Sequence, residues 1–207
     1  MFLFFARQFT IISTALKKLF LVLFLVFASK TVLFAQEVDK KKSPLRFLIA
    51  GALEFGGDPV AEVYFTDGNT QSVKAGQGAS LALGAQLQFP AVEKLILRAT
   101  VGYKYVTTEA DNAHIRLTRI PISLTANWMI VKNLRLGAGL TNHQNIQFKA
   151  DGIGRDIDLK SSSGPTFELA YHGIGLTYTA LDYKDQESRN YSANAIGVSF
   201  STTIGRR

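Results

Sequence analysis

Residues Ser80–Phe89 read SLALGAQLQF, Pro90–Lys94 read PAVEK, and Leu95–Thr108 read LILRATVGYKYVTT. In the first arm Leu81, Leu83, Ala85, Leu87 and Phe89 alternate with Ser80, Ala82, Gly84, Gln86 and Gln88. In the second, Leu95, Leu97, Ala99, Val101, Tyr103 and Tyr105 alternate with Ile96, Arg98, Thr100, Gly102, Lys104 and Val106. A period of two means a strand with one apolar face and one small or polar face. Each arm is about ten residues, the length a tilted strand needs to cross the hydrocarbon of a bilayer. Arg98 and Lys104 beside glycines suit a narrow lumen better than open solvent. The two arms read as one hairpin of a transmembrane β-barrel.

The pattern recurs on both sides. Leu45–Phe55 sets Phe47, Ile49, Gly51, Leu53 and Phe55 against Leu48, Ala50, Ala52 and Glu54. Gly56–Gly78 is a long polar connection with Gly-Gly-Asp-Pro and Asp-Gly-Asn turn signals, and Ala61–Phe65 inside it extends strands beyond the membrane. After a short polar turn at Glu109–Asn112 comes a strand over Ala113–Trp128. Its apolar phase slips: Ile115 and Leu117 are odd-numbered, whereas Ile120, Ile122, Leu124, Ala126 and Trp128 are even. One extra residue near Thr118–Pro121 would restore a single apolar face, which predicts a β-bulge there. Val131–Asn133 is a tight turn and Leu134–Thr141 the next strand. Asn142–Gly164 is the longest connection, Pro165–Tyr171 a strand, and His172-Gly173 a tight turn. Ile174–Tyr183, a charged loop over Lys184–Ser192 and a last strand over Ala195–Ile204 complete the set.

That makes eight strands, with long loops at one end and, Glu109–Asn112 apart, short turns at the other. Bacterial outer-membrane barrels share this asymmetry, so the predicted fold is an all-β, eight-stranded antiparallel up-and-down transmembrane β-barrel over 45–207. Aromatic residues sort by height as interfacial girdles require. Phe47, Phe89, Trp128 and Tyr171 fall near the turn end; Phe55, Tyr103, Tyr105, Phe167, Tyr183 and Tyr191 near the loop end.

Lys17-Lys18 followed by LFLVLFLVFA (Leu19–Ala28) reads as a signal peptide, a positive n-region feeding a short apolar h-region. Cleavage after Ala28 would leave Val26 at −3, and after Ala35 would leave Leu33 there. The later site gives a leader over 1–35 and a polar periplasmic tail over 36–44. The formal charge of +7 is concentrated at this end. Without Arg7, Lys17, Lys18 and Lys30, 19 basic residues remain against 16 acidic ones, a net +3. No basic patch with interleaved aromatics survives, which argues against nucleic-acid binding. The chain has no cysteine, which excludes disulfides, thiolate metal sites and a lipid-bearing cysteine.

The FAQ that closes the leader, LTRIPISLTANW (Leu117–Trp128), GPTFELAYHGIGLTYT (Gly164–Thr179) and YSANAIGVSFSTTIG (Tyr191–Gly205) carry a family resemblance. The chain resembles the small outer-membrane β-barrel (porin-like) proteins of Bacteroidota-type Gram-negative bacteria, from about Leu45 to Gly205. The resemblance implies a cell-envelope location in the outer membrane. It implies contact with outer-membrane lipid and lipopolysaccharide, and passage through the outer-membrane assembly machinery. It implies a fold, not a reaction. The final residues Ile204-Gly205-Arg206-Arg207 depart from the aromatic ending common among such proteins, so recognition by that machinery would rest on Phe200 or another signal.

Lumen-facing charges are the candidate site: Glu54, Arg98, Lys104, Arg116, Arg119, Arg135 and Glu168. An eight-stranded barrel is just wide enough for side chains to fill, so each glutamate is expected to meet an arginine, Arg98 or Arg119. Such a network either fills the interior or gates a small ion path, in which case breaking a pair at Glu54 opens a leak. The expected role is structural or adhesive, or weakly pore-forming. The alternatives are a lipid-modifying enzyme and a soluble lipocalin-like binding barrel. For the enzyme, His114 and His143 at the loop end have Asp111, Ser162 and Ser163 as conceivable partners, while His172 sits at a turn. No nucleophile motif accompanies them, and the expectation is a non-enzyme. Asp151, Asp156 and Asp158 do not follow an EF-hand pattern. No metal or cofactor is assigned.

Overall fold

A strand buried in lipid has backbone donors and acceptors on both edges and no water to satisfy them, so only a closed sheet is tolerated there. The computed structural model describes residues 44–64, 70–110, 113–151 and 156–205. The expected leader, and the tail before Pro44, lie outside the described residues.

Thirteen strands are present among the described residues: β1 (Leu45–Phe55), β2 (Pro59–Tyr64), β3 (Thr70–Lys74), β4 (Gly78–Gln88), β5 (Leu95–Ala110), β6 (Ala113–Val131), β7 (Leu134–Asp151), β8 (Ile157–Leu159), β9 (Ser162–Tyr171), β10 (Ile174–Thr179), β11 (Asp182–Lys184), β12 (Asn190–Ser192) and β13 (Ala195–Ile204). Eight of them, β1, β4, β5, β6, β7, β9, β10 and β13, pair in chain order, and β13 returns to β1 to close the ring. The fold is an eight-stranded antiparallel up-and-down transmembrane barrel. β2 pairs with β3 and β11 with β12 in the connections, and β8 adds to β7.

The register fixes the barrel's shape. From Phe55 the ladder runs through Ile196, Tyr178, Phe167, Ala138, Ala126, Leu97 and Leu87, and it re-enters β1 at Leu45. One circuit therefore descends ten residues along β1. With about 3.3 Å per residue and 4.8 Å between strands, that stagger tilts the strands by about 40°. At this tilt the ten residues of β1 rise about 25 Å, the height of the apolar band of an outer-membrane barrel.

The outer wall between these levels is apolar. Leu53, Leu81, Leu83, Val101, Leu124, Leu136, Leu140, Leu169, Leu176 and Val198 are all about half exposed or more, and their alternate neighbours face the lumen. Above it charged groups return to the outer face, where Arg116 pairs across the ladder with Lys149. Aromatic residues edge the band. Phe47, Phe89, Trp128 and Tyr171 are exposed towards the turn end, Phe55 and Tyr103 towards the loop end, and Tyr105 is half-buried beside them. Phe167 lies three ladder steps down from Phe55, between rim and midplane. Tyr183 does not belong to a girdle: it is fully buried. Tyr191 is half-buried against the same interior cluster. Tyr178 and Phe200, also exposed, add to the outer surface.

Beyond the loop-end rim the polarity of the wall inverts. β5, β6 and β7 continue past it, and their inward residues Val106, Ile115, Leu117, Ile146, Phe148 and Ala150 form an apolar core with Val73, Ala75, Leu159, Leu181, Tyr183 and Ala193. Three expectations are corrected by this extension. Glu109–Asn112 is not a separate short turn, because β5 runs to Ala110 and β6 starts at Ala113. Much of the connection expected over Asn142–Gly164 is strand, as β7 runs to Asp151 and β9 begins at Ser162. The bulge expected in β6 lies in β7: Thr118 and Ile120 oppose Gln147 and Gln144, so the extra residue is on the β7 side, where Asn145 has φ 48°. From Ile115 to Trp128 β6 keeps strict alternation, and Ile115 and Leu117 turn inward because the interior at that height is apolar.

At the opposite end, His172 (φ 52°) and Gly173 (φ 90°) form the two-residue turn between β9 and β10. Two positive φ values in succession match the twist of the flanking strands.

A lipid-facing wall makes a sharp prediction for Leu124, which is 63% exposed near mid-height. On a soluble protein an arginine there would be close to neutral. In a bilayer, Leu124→Arg should cost about 2–4 kcal/mol, read as the change in unfolding free energy of the barrel reconstituted in lipid vesicles.

Candidate functional site

An inward residue recurs at every second position of each strand, so eight strands place stacked layers of side chains in the lumen. At the turn end Arg46, 6% exposed, donates from Nη2 to Gln88 Oε1 (2.9 Å) and from Nη1 to Thr203 Oγ1 (3.3 Å). Above it lies a belt centred on Glu168 of β9. Its Oε2 accepts from Arg135 Nη2 (2.9 Å), Arg135 Nε (3.2 Å) and Arg98 Nη1 (3.2 Å). Its Oε1 accepts from Ser199 Oγ (2.7 Å), and Arg135 Nη2 also reaches Ser201 Oγ (3.2 Å). Arg135 comes from β7, adjacent to β9, but Arg98 comes from β5, two strands further round. The belt is therefore a tie across the lumen and not only along the wall.

Above the belt is a cavity of about 150 Å³ walled mainly by small residues, among them Ala82, Thr100, Ser123, Thr125 and Thr177. A second layer of charge closes it at the loop-end rim. Lys104 Nζ meets Glu54 Oε2 at 2.8 Å and donates to the Gly76 carbonyl at 2.8 Å. Arg119 donates to the Gln77 carbonyl. These two carbonyls belong to the chain leaving the β2–β3 hairpin, so the cations fasten that connection from inside the barrel. His143 Nδ1 and Tyr183 Oη are hydrogen-bonded beside them, with the rings tilted at 49°. Burial pushes the Tyr183 phenol up to about 12, partly offset by Arg119. The apolar core then fills the interior above.

The expected lumen charges are distributed as follows. Arg98, Arg135 and Glu168 converge in one cluster; Glu54 and Lys104 pair in the other, with Arg119 in the same layer. Arg116 is on the opposite face: it lies between the buried Ile115 and Leu117, is itself half-exposed, and pairs with Thr107 and Lys149 across the ladders. Glu54 meets a lysine and not the expected arginine, and the register explains why. Glu54 opposes Gly78, and Ser80, two residues along β4, opposes Lys104. Lys104 thus reaches Glu54 diagonally across Gly78, where a Cβ would stand 3.4 Å from Lys104 Cε. Sequence reading left Arg46 unnamed, and it put His143 in a loop and Tyr183 in a girdle instead of in the lumen. Arg46 and His143 were within reach of it, because Arg46 shares the even phase of Leu48 to Glu54, and His143 continues the odd phase of Arg135 and Thr141. Tyr183, after the break that follows β10, had no such signal.

No protein-family model matches the chain, and no curated protein does. Several solved structures are similar to it, among them two outer-surface proteins of Gram-negative bacteria. Ail, the attachment invasion locus protein of Yersinia pestis, aligns with 8% identity and a TM-score of 0.40, over 78% of this chain and 100% of its own. Neisserial surface protein A aligns with 14% identity and a TM-score of 0.42, over 80% of this chain and 100% of its own. The barrel assignment rests on the closed ladder and the two faces of the wall, not on these likenesses.

The conceivable catalytic partners are spread apart. His143 is 5% exposed and bonded to Tyr183; Ser163 Oγ accepts from Asn142 Nδ2 at 2.6 Å; His172 Nε2 meets Asn133 Nδ2 at the far end of the barrel. The side chain of His114, and Asp111, lie outside what the structure describes. Asp156 Oδ1 accepts from the Ala150 amide at 3.1 Å, which makes it a loop brace. Among the described residues no three His, Asp or Glu side chains converge on a metal position.

Removing one member of a buried charge cluster leaves the others uncompensated. Glu168→Gln would strand two guanidiniums and should lower stability by about 3–5 kcal/mol. The check is the midpoint of thermal or denaturant unfolding of the refolded protein in detergent. Ser199→Ala, which removes one neutral donor from the same carboxylate, should cost about 1 kcal/mol.

Proposed function

We propose that this chain is an integral outer-membrane protein of a Gram-negative envelope, with a closed barrel that serves as an anchor and a folded loop end that does the work. The reading is structural or adhesive. In it the short turns face the periplasm and the β2–β3 hairpin, the β5–β6–β7 extension and the β11–β12 hairpin face outward, as the loop asymmetry of such barrels implies. The wall would meet outer-membrane lipid and, in the outer leaflet, lipopolysaccharide, after insertion by the assembly machinery. The Bacteroidota-type origin rests on the sequence motifs alone.

The observation that carries the reading is the triple closure of the lumen. The Arg98–Glu168–Arg135 tie, the Lys104 and Arg119 bonds to the Gly76 and Gln77 carbonyls, and the apolar core stand in series along one axis. A path for ions would have to pass all three, and the last is not ionic. The outward bulky face also opposes a lipocalin-like barrel, which needs its large apolar residues inside.

Planar-bilayer recording of the refolded protein tests this. Neither the wild type nor Glu54→Ala should give steady unitary conductance, because the apolar core remains above the broken Glu54–Lys104 pair. Glu54→Ala should instead lose about 3–5 kcal/mol of stability, through the lysine left buried. Stepwise currents from the wild type would replace the anchor reading with a pore, and currents from Glu54→Ala alone would make the Glu54–Lys104 pair a gate.

A further inference from the structure

Below the belt the lumen opens into a chamber of about 270 Å³ at the turn end, with Arg46, Gln86, Arg98, Arg135, Ser201 and Thr203 in its wall. Two features of this chamber do not follow from a merely filled barrel. The belt is unbalanced, since the guanidiniums of Arg98 and Arg135 share a single carboxylate, both bonded to the same oxygen of Glu168. That leaves one positive charge in excess among groups only 7–16% exposed. Arg98 is also incompletely satisfied. It is 7% exposed, yet its Nε has no hydrogen-bond partner among the described residues. A buried guanidinium N–H without an acceptor is costly, and so is surplus charge in a low-dielectric wall.

We propose that this chamber is a binding site for a small tetrahedral oxyanion of the phosphate class, entering from the turn end and received by Arg98 and Arg135. The anion supplies the negative charge that Glu168 alone does not. Guanidiniums suit this ligand because their planar N–H groups match phosphate oxygens in pairs. The hydroxyl of Ser201 and the side chain of Gln86 add neutral donors at the same level. The third guanidinium in the wall, Arg46, is held by Gln88 and Thr203. Glu168 then competes with the ligand for the same two arginines, so the site is tuned by a carboxylate and not only by its cations.

This competition gives the test its sign. The refolded full-length protein in detergent micelles is titrated with inorganic phosphate at constant ionic strength held with potassium chloride, and binding is read by calorimetry and by the thermal midpoint. Saturable binding that raises the midpoint is expected, and Arg98→Gln should weaken it about tenfold or more. Glu168→Gln, although less stable in chloride, should bind phosphate more tightly than the wild type and recover part of its lost stability as phosphate is added. If Arg98→Gln fails to fold, tighter binding by Glu168→Gln than by the wild type still supports the proposal, and equal or weaker binding overturns it. A parallel titration with glycerol 3-phosphate separates free phosphate from a phosphorylated solute: equal or tighter binding assigns the solute, weaker binding assigns the free ion. No saturable response to either ligand in both the wild type and Glu168→Gln overturns the proposal and leaves the chamber solvated. No current is measured, so the result is independent of whether the barrel conducts.

Discussion

The seam between the first and last ring strands is the contact on which the molecule depends. From Phe47↔Ile204 to Phe55↔Ile196, β1 and β13 pair without a register shift. Each is an edge until the other arrives. In water an open edge invites aggregation; in lipid it leaves a row of unsatisfied N–H and C=O groups, each costing several kcal/mol. The two strands are at opposite ends of the described chain, so the pairing that satisfies them is also the most non-local one. Such pairing carries the loop-closure entropy of the whole barrel. Glycines ease it. Gly51, on the outer face of β1, has no side chain where the Phe200 ring of β13 lies across it, so the aromatic covers the seam where a larger residue would push it off.

Closure with eight strands and a stagger of ten leaves an interior too narrow for bulk water and too wide to be left empty, and the inward residues answer both limits. Small side chains hold the middle, and the long ones gather in two layers. Placing charge there looks extravagant, since an apolar filling would cost less. What the charged layers supply is direction. A glutamate on β9 reached by arginines from β5 and β7 fixes which strands face each other across the lumen, and Lys104 reaching past Gly78 to Glu54 fixes the phase of β1, β4 and β5. The outer wall provides no such specification, because one leucine against lipid is much like the next.

The sequence made the wall legible and left the interior largely closed to reading. Alternation in Leu45–Phe55, Ser80–Phe89 and Ala195–Ile204 gave strands whose limits agree with the structure to within two residues, since those strands end where the membrane does. The strands that outrun the membrane were truncated or split. Polar residues such as Asn142, Gln144 and Gln147 look like loop, yet they are the outer face of a strand standing in water. Which lumen charges would meet was not readable, because pairing across a barrel depends on stagger, and stagger is not encoded within any one strand. Tyr183 went to the wrong place for a related reason. An aromatic beyond the band can be an interfacial anchor or a core residue, and only the apolar neighbours brought to it by β6 and β7 distinguish the two.

The membrane boundary itself is written in β6 and β7 in two different ways. Along β6 the apolar residues change parity, from Ile122, Leu124 and Trp128 to Ile115 and Leu117, while the backbone alternation is unbroken. Along β7 they keep parity, from Leu136 and Leu140 to Ile146 and Phe148, while the backbone gains a residue at Asn145. Both arrangements achieve the same physical end: apolar side chains point at lipid below the rim and at the protein interior above it. A parity slip therefore does not imply a bulge, nor an unbroken pattern its absence, wherever a strand leaves a bilayer. What must change at that height is the polarity of the two surroundings. Either the sequence exchanges faces along a regular backbone, or the backbone turns over beneath a regular sequence. Here adjacent strands take opposite options, and the mismatch between them places the bulge in the ladder where Thr118 and Ile120 oppose Gln147 and Gln144.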